Sequence, residues 1–203
     1  MTTIKRMMAG PNAVRLLMNV FHSLKSAPMI MIINKIVDIF VAVISNESGL
    51  ILCIETADCL PVLIVDQNLK AIAAIHAGRK GILKGIIQET VKRLKSEYGC
   101  NPSDLSVAIG PGICGESYEV GRECIVPFNK SIPEADNTFF QKKNGKWYLD
   151  LAKIVTNQFL NLGIKKRRLG KSGPCTLANS KNFFSYRREG KGVGRQTSLI
   201  LLV

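Results

Sequence analysis

Short apolar stretches alternate with polar turns through the first half of the chain, and this pattern predicts a series of β-strands. The stretches are rich in isoleucine and valine, and the turn segments NESG and DQNLK separate two pairs of them. Two further strands are predicted later in the chain. The predicted strands are Met29–Ile33, Phe40–Ser45, Leu50–Glu55, Val62–Asp66, Ala71–Ile75, Leu105–Ile109 and Ser198–Val203.

Two longer segments show a helical period instead. Gly81–Glu97 and Asp150–Leu162 each repeat apolar residues at helical spacing, and Gly163 is a suitable stop for the second helix. A short helix is also predicted at Asn12–Asn19, after Pro11. Phe183–Arg188 is predicted as a short helix or a loop. This mixture of elements indicates an α/β or α+β fold.

Composition narrows the class of protein. Hydrophobic residues make up 46% of the 203 positions, which is typical of a globular chain with one domain or two small ones. The longest apolar runs are far too short to cross a bilayer, so no membrane partner is expected. The first residues lack the apolar core of a signal peptide, and the six cysteines form no CxxC pair. We therefore expect a cytoplasmic protein with free thiols.

The chain is strongly basic, with a formal net charge of +13. This balance suits anionic partners such as phosphates, nucleotides or nucleic acid. Aromatic residues are not interleaved with the basic ones, as they are in surfaces that stack bases, so no specific nucleic-acid partner is expected. A non-catalytic basic protein that binds nucleic acid stays open as an alternative.

One cysteine and one histidine stand at the ends of neighbouring predicted strands. If these strands form an antiparallel hairpin, Cys59 before the first and His76 at the end of the second come together at one edge of the sheet. The pair suits a Cys-His nucleophile dyad, a metal site with a soft ligand, or a structural cysteine beside a hydrogen-bonded histidine. Asp58 could orient an imidazole or a water molecule, and it could equally cap a turn before Leu60.

Three other features are candidates for chemistry. Gly110 and Gly112 flank a proline after a predicted strand, where free backbone amides suit an anion or a ring. The planar guanidinium groups of Arg187 and Arg188 suit the binding of a phosphate, although a solvated basic loop has the same sequence pattern. His22 would complete a His-Cys-His set with Cys59 and His76, which is the ligand pattern of a catalytic zinc.

Several motifs follow one another along the chain: TADCLPVLIVD, AAIHAG, IGPGICGESYEVG, LDL with NQFLNLGI, CT, and FFSYRREG followed by GR. In this order they resemble the motifs of the laccase-domain family, whose members are also called multicopper polyphenol oxidoreductases, purine nucleoside phosphorylases and peptidoglycan editing factors. The resemblance implies a single-domain layered sandwich with a mixed, largely antiparallel sheet and flanking helices. The resemblance runs from about His22 to the C-terminus, and it implies that residues 1–203 form one laccase-like domain, with 1–20 an unmatched N-terminal segment.

The resemblance also implies a function. His22, Cys59 and His76 correspond to the family's metal ligands, usually for zinc, with copper possible. The implied activity is a purine nucleoside phosphorylase acting on adenosine, inosine and methylthioadenosine, with adenosine deaminase activity. Gly110 and Gly112 would contact base or ribose, and Arg187 or Arg188 phosphate. The implied partners are small molecules, a purine nucleoside and phosphate, with the chain a monomer or small homo-oligomer.

Other functions stay open. The alternatives are a copper-dependent polyphenol oxidase, a Cys-His hydrolase editing a peptidoglycan precursor, and an inactive shortened relative. Two histidines in the chain are too few for a blue-copper site together with a trinuclear cluster, which weighs against the oxidase. The family motif HAGWRG is HAGRKG here, with Arg79 and Lys80, and the N-terminal part resembles a shortened version of the family's.

Overall fold

The structure is a computed structural model that describes residues 3–6, 15–19, 42–132, 138–142 and 145–203. Its strands are β1 Thr3–Arg6, β2 Arg15–Asn19, β3 Ala42–Ser45, β4 Ile51–Thr56, β5 Leu60–Asp66, β6 Ile72–Ala77, β7 Leu105–Ile109, β8 Glu119–Val120, β9 Phe139–Gln141, β10 Trp147–Leu149 and β11 Gln196–Leu201. Its helices are α1 Arg79–Leu83, α2 Ile86–Tyr98, α3 Arg122–Ser131, α4 Leu151–Asn161 and α5 Tyr186–Glu189. Short 3₁₀ turns lie at Pro102–Asp104 and Lys166–Arg168.

Two four-stranded sheets form the centre of the molecule. Their strand orders are β1-β2-β11-β4 and β3-β6-β5-β7, and the strand pairs described within them are antiparallel. Helices cover the outer face of the second sheet. This arrangement confirms the prediction of an α/β layered sandwich with largely antiparallel sheets and flanking helices.

Strand β5 is buried on both faces, which explains its nearly continuous apolar sequence. Leu63 and Val65 join a cluster with residues of β4, β6 and β11, between the two sheets. Val62 and Ile64 point the other way, into a cluster that includes residues of α2 and α4. Alternate side chains of a strand point to opposite faces, so this one strand supplies both cores.

The helical pattern from Gly81 onward forms two helices rather than the one predicted. Gly85 separates α1 from α2 and has a φ of +81°, in the left-handed region that favours glycine. The apolar residues of α2 nevertheless face the core as the periodicity indicated, with Ile87 and Leu94 fully buried. Helix α4 agrees closely with its prediction, and the Asp150 side chain caps it by accepting from the Lys153 amide.

The helix predicted at Asn12–Asn19 is wrong, because residues 15–19 form strand β2. Its backbone pairs with both β1 and β11, so it lies inside a sheet. A short run of apolar residues does not distinguish a helix from a buried strand, and pairing with neighbouring strands decides the outcome here. The strand predicted at Met29–Ile33 lies outside the described residues.

A small antiparallel sheet and one helix were not predicted. The sheet has the order β8-β10-β9, and its strands are only two or three residues long. Helix α3 contains Pro127, a residue that normally argues against a helix interior. No helix in the described part of the chain is long and apolar enough to cross a bilayer.

Candidate functional site

The β5–β6 hairpin brings the predicted cysteine and histidine together. Leu60 pairs with Ala77 and Pro61 with His76, so Cys59 lies directly beyond the pair that closes the hairpin's open end. A Cβ placed on Gly78 would lie 2.9 Å from Cys59 Sγ and 3.7 Å from His76 Cδ2. Both side chains therefore border the same small space, which exists because residue 78 has no side chain.

The imidazole of His76 is partly buried next to the backbone of β4. Burial lowers the pKa of His76, the polar contact with the Glu55 backbone acts in the opposite direction, and Arg195 adds a smaller lowering effect. The imidazole is therefore neutral near pH 7, which is the form that binds metals.

Without a bound cation, Cys59 is a protonated thiol near pH 7. Burial, followed by the neighbouring Asp58, raises its pKa to about 11, while Arg195 acts against this rise. A Cys-His dyad needs a thiolate, and nucleophilic cysteines have a lowered pKa. The environment of Cys59 thus suits a thiol that loses its proton to a bound cation better than a free nucleophile.

Asp58 fixes the loop that carries Cys59. Its carboxylate accepts hydrogen bonds from Thr176 Oγ1 at 2.6 Å, Ser185 Oγ at 3.0 Å and the Arg187 amide at 2.7 Å. Its carbonyl accepts from the Ile113 amide at 2.8 Å. All these bonds hold Asp58 at a φ of +80°, a conformation that is costly for most residues and tolerated best by Asp and Asn. Asp58 is thus a structural anchor of the site, and its carboxylate caps the first turn of α5.

Arginine side chains surround this site. Arg79 Nη1 donates to Cys124 Sγ at 2.9 Å, and the Arg79 charge also acts on the Tyr118 hydroxyl. The Arg187 guanidinium lies over the Tyr118 ring, 5.3 Å from its centroid. Burial raises the pKa of Tyr118 and both arginines lower it, and it also interacts electrostatically with Cys59. Tyr118 therefore lies within electrostatic range of both arginines and of the Cys59 thiol.

The two predicted phosphate-binding arginines have different surroundings. Arg188 Nη1 donates to the Thr176 and Leu177 carbonyls, and its Nη2 donates to the Phe183 carbonyl and to Glu189. Its guanidinium thus holds the local loop together. Arg187 has its backbone amide on Asp58, while its guanidinium rests on an aromatic face. The guanidinium of Arg188 is thus engaged by its own loop, whereas that of Arg187 lies over Tyr118.

The Gly110–Gly112 loop packs tightly against the start of β5. The Gly110 amide donates to the Pro61 carbonyl, and a Cβ on Gly112 would lie only 2.5 Å from Leu60 Cδ2. Gly112 and Leu60 also line a cavity of about 330 Å³ that reaches Asp150 and Lys153. Neither Cys59 nor His76 lines that cavity, although it begins one residue from Cys59.

His22 lies outside the described residues, so its position relative to Cys59 and His76 stays a prediction. Among the described residues, no group of three or more metal-binding side chains comes together. The sequence did not single out Tyr118, which lies in the quoted motif GESYEVG, and it treated Arg79 only as a departure from a motif. A tyrosine beside a glycine-rich loop is too common a pattern to indicate this role.

The chain has relatives among proteins of known name. The chain is 38% identical over 162 residues to a protein of Bacteroides thetaiotaomicron named purine nucleoside phosphorylase. The matched region covers 79% of this chain and 60% of that protein. It is 34% identical to the Escherichia coli protein named purine nucleoside phosphorylase YfiH, covering 78% and 62%. The chain thus spans less than two thirds of the length of these curated relatives.

Solved structures show the same fold. The hypothetical protein YfiH of Bacillus licheniformis superimposes with a TM-score of 0.74 at 30% identity, covering 80% of this chain and 61% of that one. YlmD from Geobacillus stearothermophilus gives a TM-score of 0.75 at 28% identity, with the same coverage. Residues 4–203 match the family model described as multi-copper polyphenol oxidoreductase laccase. On this match over almost its full length, the chain belongs to the multi-copper polyphenol oxidoreductase laccase family.

Proposed function

We propose that this chain carries the site of a purine nucleoside phosphorylase. The substrates would be adenosine, inosine and methylthioadenosine, with adenosine deaminase activity at the same site. The observation that carries the proposal is the convergence of Cys59 and His76 beside Tyr118 and the arginines around it. The names of the curated relatives support the same reaction class.

The donor set suits a zinc ion, with copper as the other candidate metal. Cys59 and His76 would hold it together with His22, and the space at Gly78 that a Cβ would fill lies between the two described donors. A thiolate and a neutral imidazole are common zinc ligands, and the polar contact of His76 with the Glu55 backbone resembles the support that such a ligand usually has. When bound, the metal would supply a Lewis acid and an activated water for the deaminase reaction.

Phosphorolysis needs an anion placed next to the sugar. A phosphate oxygen forms a bond to the anomeric carbon as the bond from that carbon to the purine nitrogen breaks, and the purine leaves with a proton. Arg187, with Arg79 and Arg195 close to the site, supplies the positive charge that would hold the phosphate. Gly110 and Gly112 would contact the base or ribose, where the absence of side chains permits a close approach.

The competing functions fit these surroundings less well. A hydrolase with a Cys-His dyad needs a lowered thiol pKa, whereas that of Cys59 is raised. A multicopper oxidase needs more histidines than the two in this chain. An inactive relative stays distinguishable by experiment, because it predicts no turnover at all.

The proposal is tested by phosphate-dependent release of hypoxanthine from inosine. The wild type and Cys53→Ala should turn over inosine, because the Cys53 side chain lies on the opposite face of β4 from the core residues Leu52 and Ile54. Cys59→Ala should lose activity by at least about a hundredfold. Arg187→Ala, without a change in fold, should raise the KM for phosphate more than it lowers kcat. No turnover by the wild type, or equal turnover by Cys59→Ala, would refute the proposal.

A further inference from the structure

A pair of cysteines, Cys114 and Cys175, lies outside the proposed metal site. Cys114 follows the Gly110–Gly112 loop, and Cys175 lies on a segment that runs parallel to it, with Gly112 and Cys175 forming a β-bridge. The Thr176 amide donates to the Gly112 carbonyl at 3.0 Å and fixes the alignment of the two segments. Because both segments are held by the backbone, the two cysteines are neighbours although they are 61 positions apart.

The sulphur of Cys175 accepts a hydrogen bond from the neighbouring cysteine. The Cys114 amide donates to it at 3.2 Å, while the Cys114 thiol donates to Ser117 Oγ at 3.3 Å. An amide N–H that points at a sulphur favours its thiolate form, and the thiol beside it is placed to react next.

The other thiols of the chain have different surroundings. All six cysteines lie within the described residues. Burial acts to raise the pKa of Cys175, but its polar contacts with Cys114 and the Ala178 backbone lower it overall, whereas burial leads the rise in pKa of the other five thiols. Cys114 and Cys175 are both partly exposed, and Cys114 lines the 330 Å³ cavity, which gives a small oxidant access.

We propose that Cys114 and Cys175 form an oxidation site for hydroperoxides, with Cys175 as the reacting thiol and Cys114 as the resolving one. The Cys175 thiolate attacks hydrogen peroxide, an S–O bond forms, the O–O bond breaks, and the released hydroxide takes a proton to become water. The Cys114 thiol then attacks the Cys175 sulphenic acid, forming the disulfide and releasing a second water. Two thiols lose two electrons in total, and one peroxide is reduced to two waters.

The test is peroxide treatment of the full chain under native conditions, followed by alkylation and peptide mass spectrometry. We expect a reducible link between the peptides of Cys114 and Cys175, with Cys53 still alkylated. Without peroxide, Cys175 should react with iodoacetamide at pH 7 at least about tenfold faster than Cys53. The half-buried Cys53 is a suitable internal control because Glu55 raises its pKa in addition to burial.

Two variants separate the roles of the cysteines. Cys114→Ser should form a sulphenic acid on Cys175 that dimedone traps, and Cys175→Ser should leave Cys114 no more reactive than Cys53. The wild-type experiment remains decisive if Cys175→Ser fails to fold. Oxidation spread evenly over Cys53 and Cys175, or a link between any other two cysteines, would overturn the proposal.

Discussion

At the scale of single residues, two side chains and one missing side chain define the candidate site. Cys59 and His76 come together at Gly78, and Asp58 holds the loop that carries Cys59. The hairpin that brings the first two together could be predicted, because the pattern of two apolar strands around a short polar turn fixes which ends are neighbours. The anchoring role of Asp58 could not, because its partners Thr176 and Ser185 lie 118 and 127 positions away.

Asp58 should be critical for stability. Asp58→Ala leaves the Thr176 and Ser185 hydroxyls and the Arg187 amide without their acceptor in a buried setting. We expect a loss of about 3–5 kcal/mol in the free energy of unfolding, measured by urea denaturation. Glu116→Ala removes a carboxylate from an exposed ion pair with Lys142 and should cost less than about 0.5 kcal/mol. Similar losses for the two variants would contradict the anchoring role.

Gly78 should be intolerant of any side chain for a steric reason. Its φ of −86° is accessible to all residues, so alanine introduces no backbone strain. The new Cβ would nevertheless lie 2.9 Å from Cys59 Sγ and force one of the two to move. We expect Gly78→Ala to keep its circular dichroism spectrum but to bind zinc at least about tenfold more weakly, measured by competition with a chelator. Unchanged zinc affinity would show that the sulphur is not a ligand.

At the scale of elements, the helix that follows His76 is interrupted. The apolar period runs through Gly85 without a change, so the sequence pattern predicts one helix where the structure has two. A single glycine is compatible with both outcomes, and only its backbone conformation decides between them. The short apolar run at β2 was ambiguous for a different reason, because it is compatible with a helix or a strand. In the structure it pairs with neighbouring strands.

Whether Gly85→Ala raises or lowers the stability of the protein tests the break between α1 and α2. If Gly85 were inside a continuous helix, Gly85→Ala would stabilise the protein by up to about 1 kcal/mol. Because its φ is +81°, we expect the substitution to destabilise the protein by about 1–2 kcal/mol instead. A Cβ there has room, since its nearest neighbour is Gln88 Oε1 at 3.7 Å. A raised Tm for Gly85→Ala would contradict the break.

At the scale of the whole molecule, the site depends on the packing of two sheets and a helical layer. Strand β5 contributes to both cores, and the loop before it carries Cys59. The layered class of the fold was predictable from the resemblance to a family together with the strand and helix patterns. The small sheet β8-β10-β9 was not, because strands of two or three residues leave no periodic pattern to detect.

The core between the sheets should be the more sensitive part of the structure. Leu63 is fully buried there, and Leu63→Ala should cost about 2–5 kcal/mol in the free energy of unfolding. Val126 in α3 is 68% exposed, and Val126→Ala should change stability by less than about 0.5 kcal/mol. Chemical denaturation of both variants measures the contrast, and a small loss for Leu63→Ala would contradict the packing of the two sheets.

The central claim is that Cys59 and His76 form one metal-binding site. Elemental analysis of the purified protein tests it most directly, with His76→Ala, Cys59→Ala and the control Cys53→Ala prepared in parallel. We predict about one zinc per chain for the wild type and the control, and a loss of most of that zinc in the other two variants. Equal metal content in all four proteins, or a wild type without zinc or copper, would contradict it.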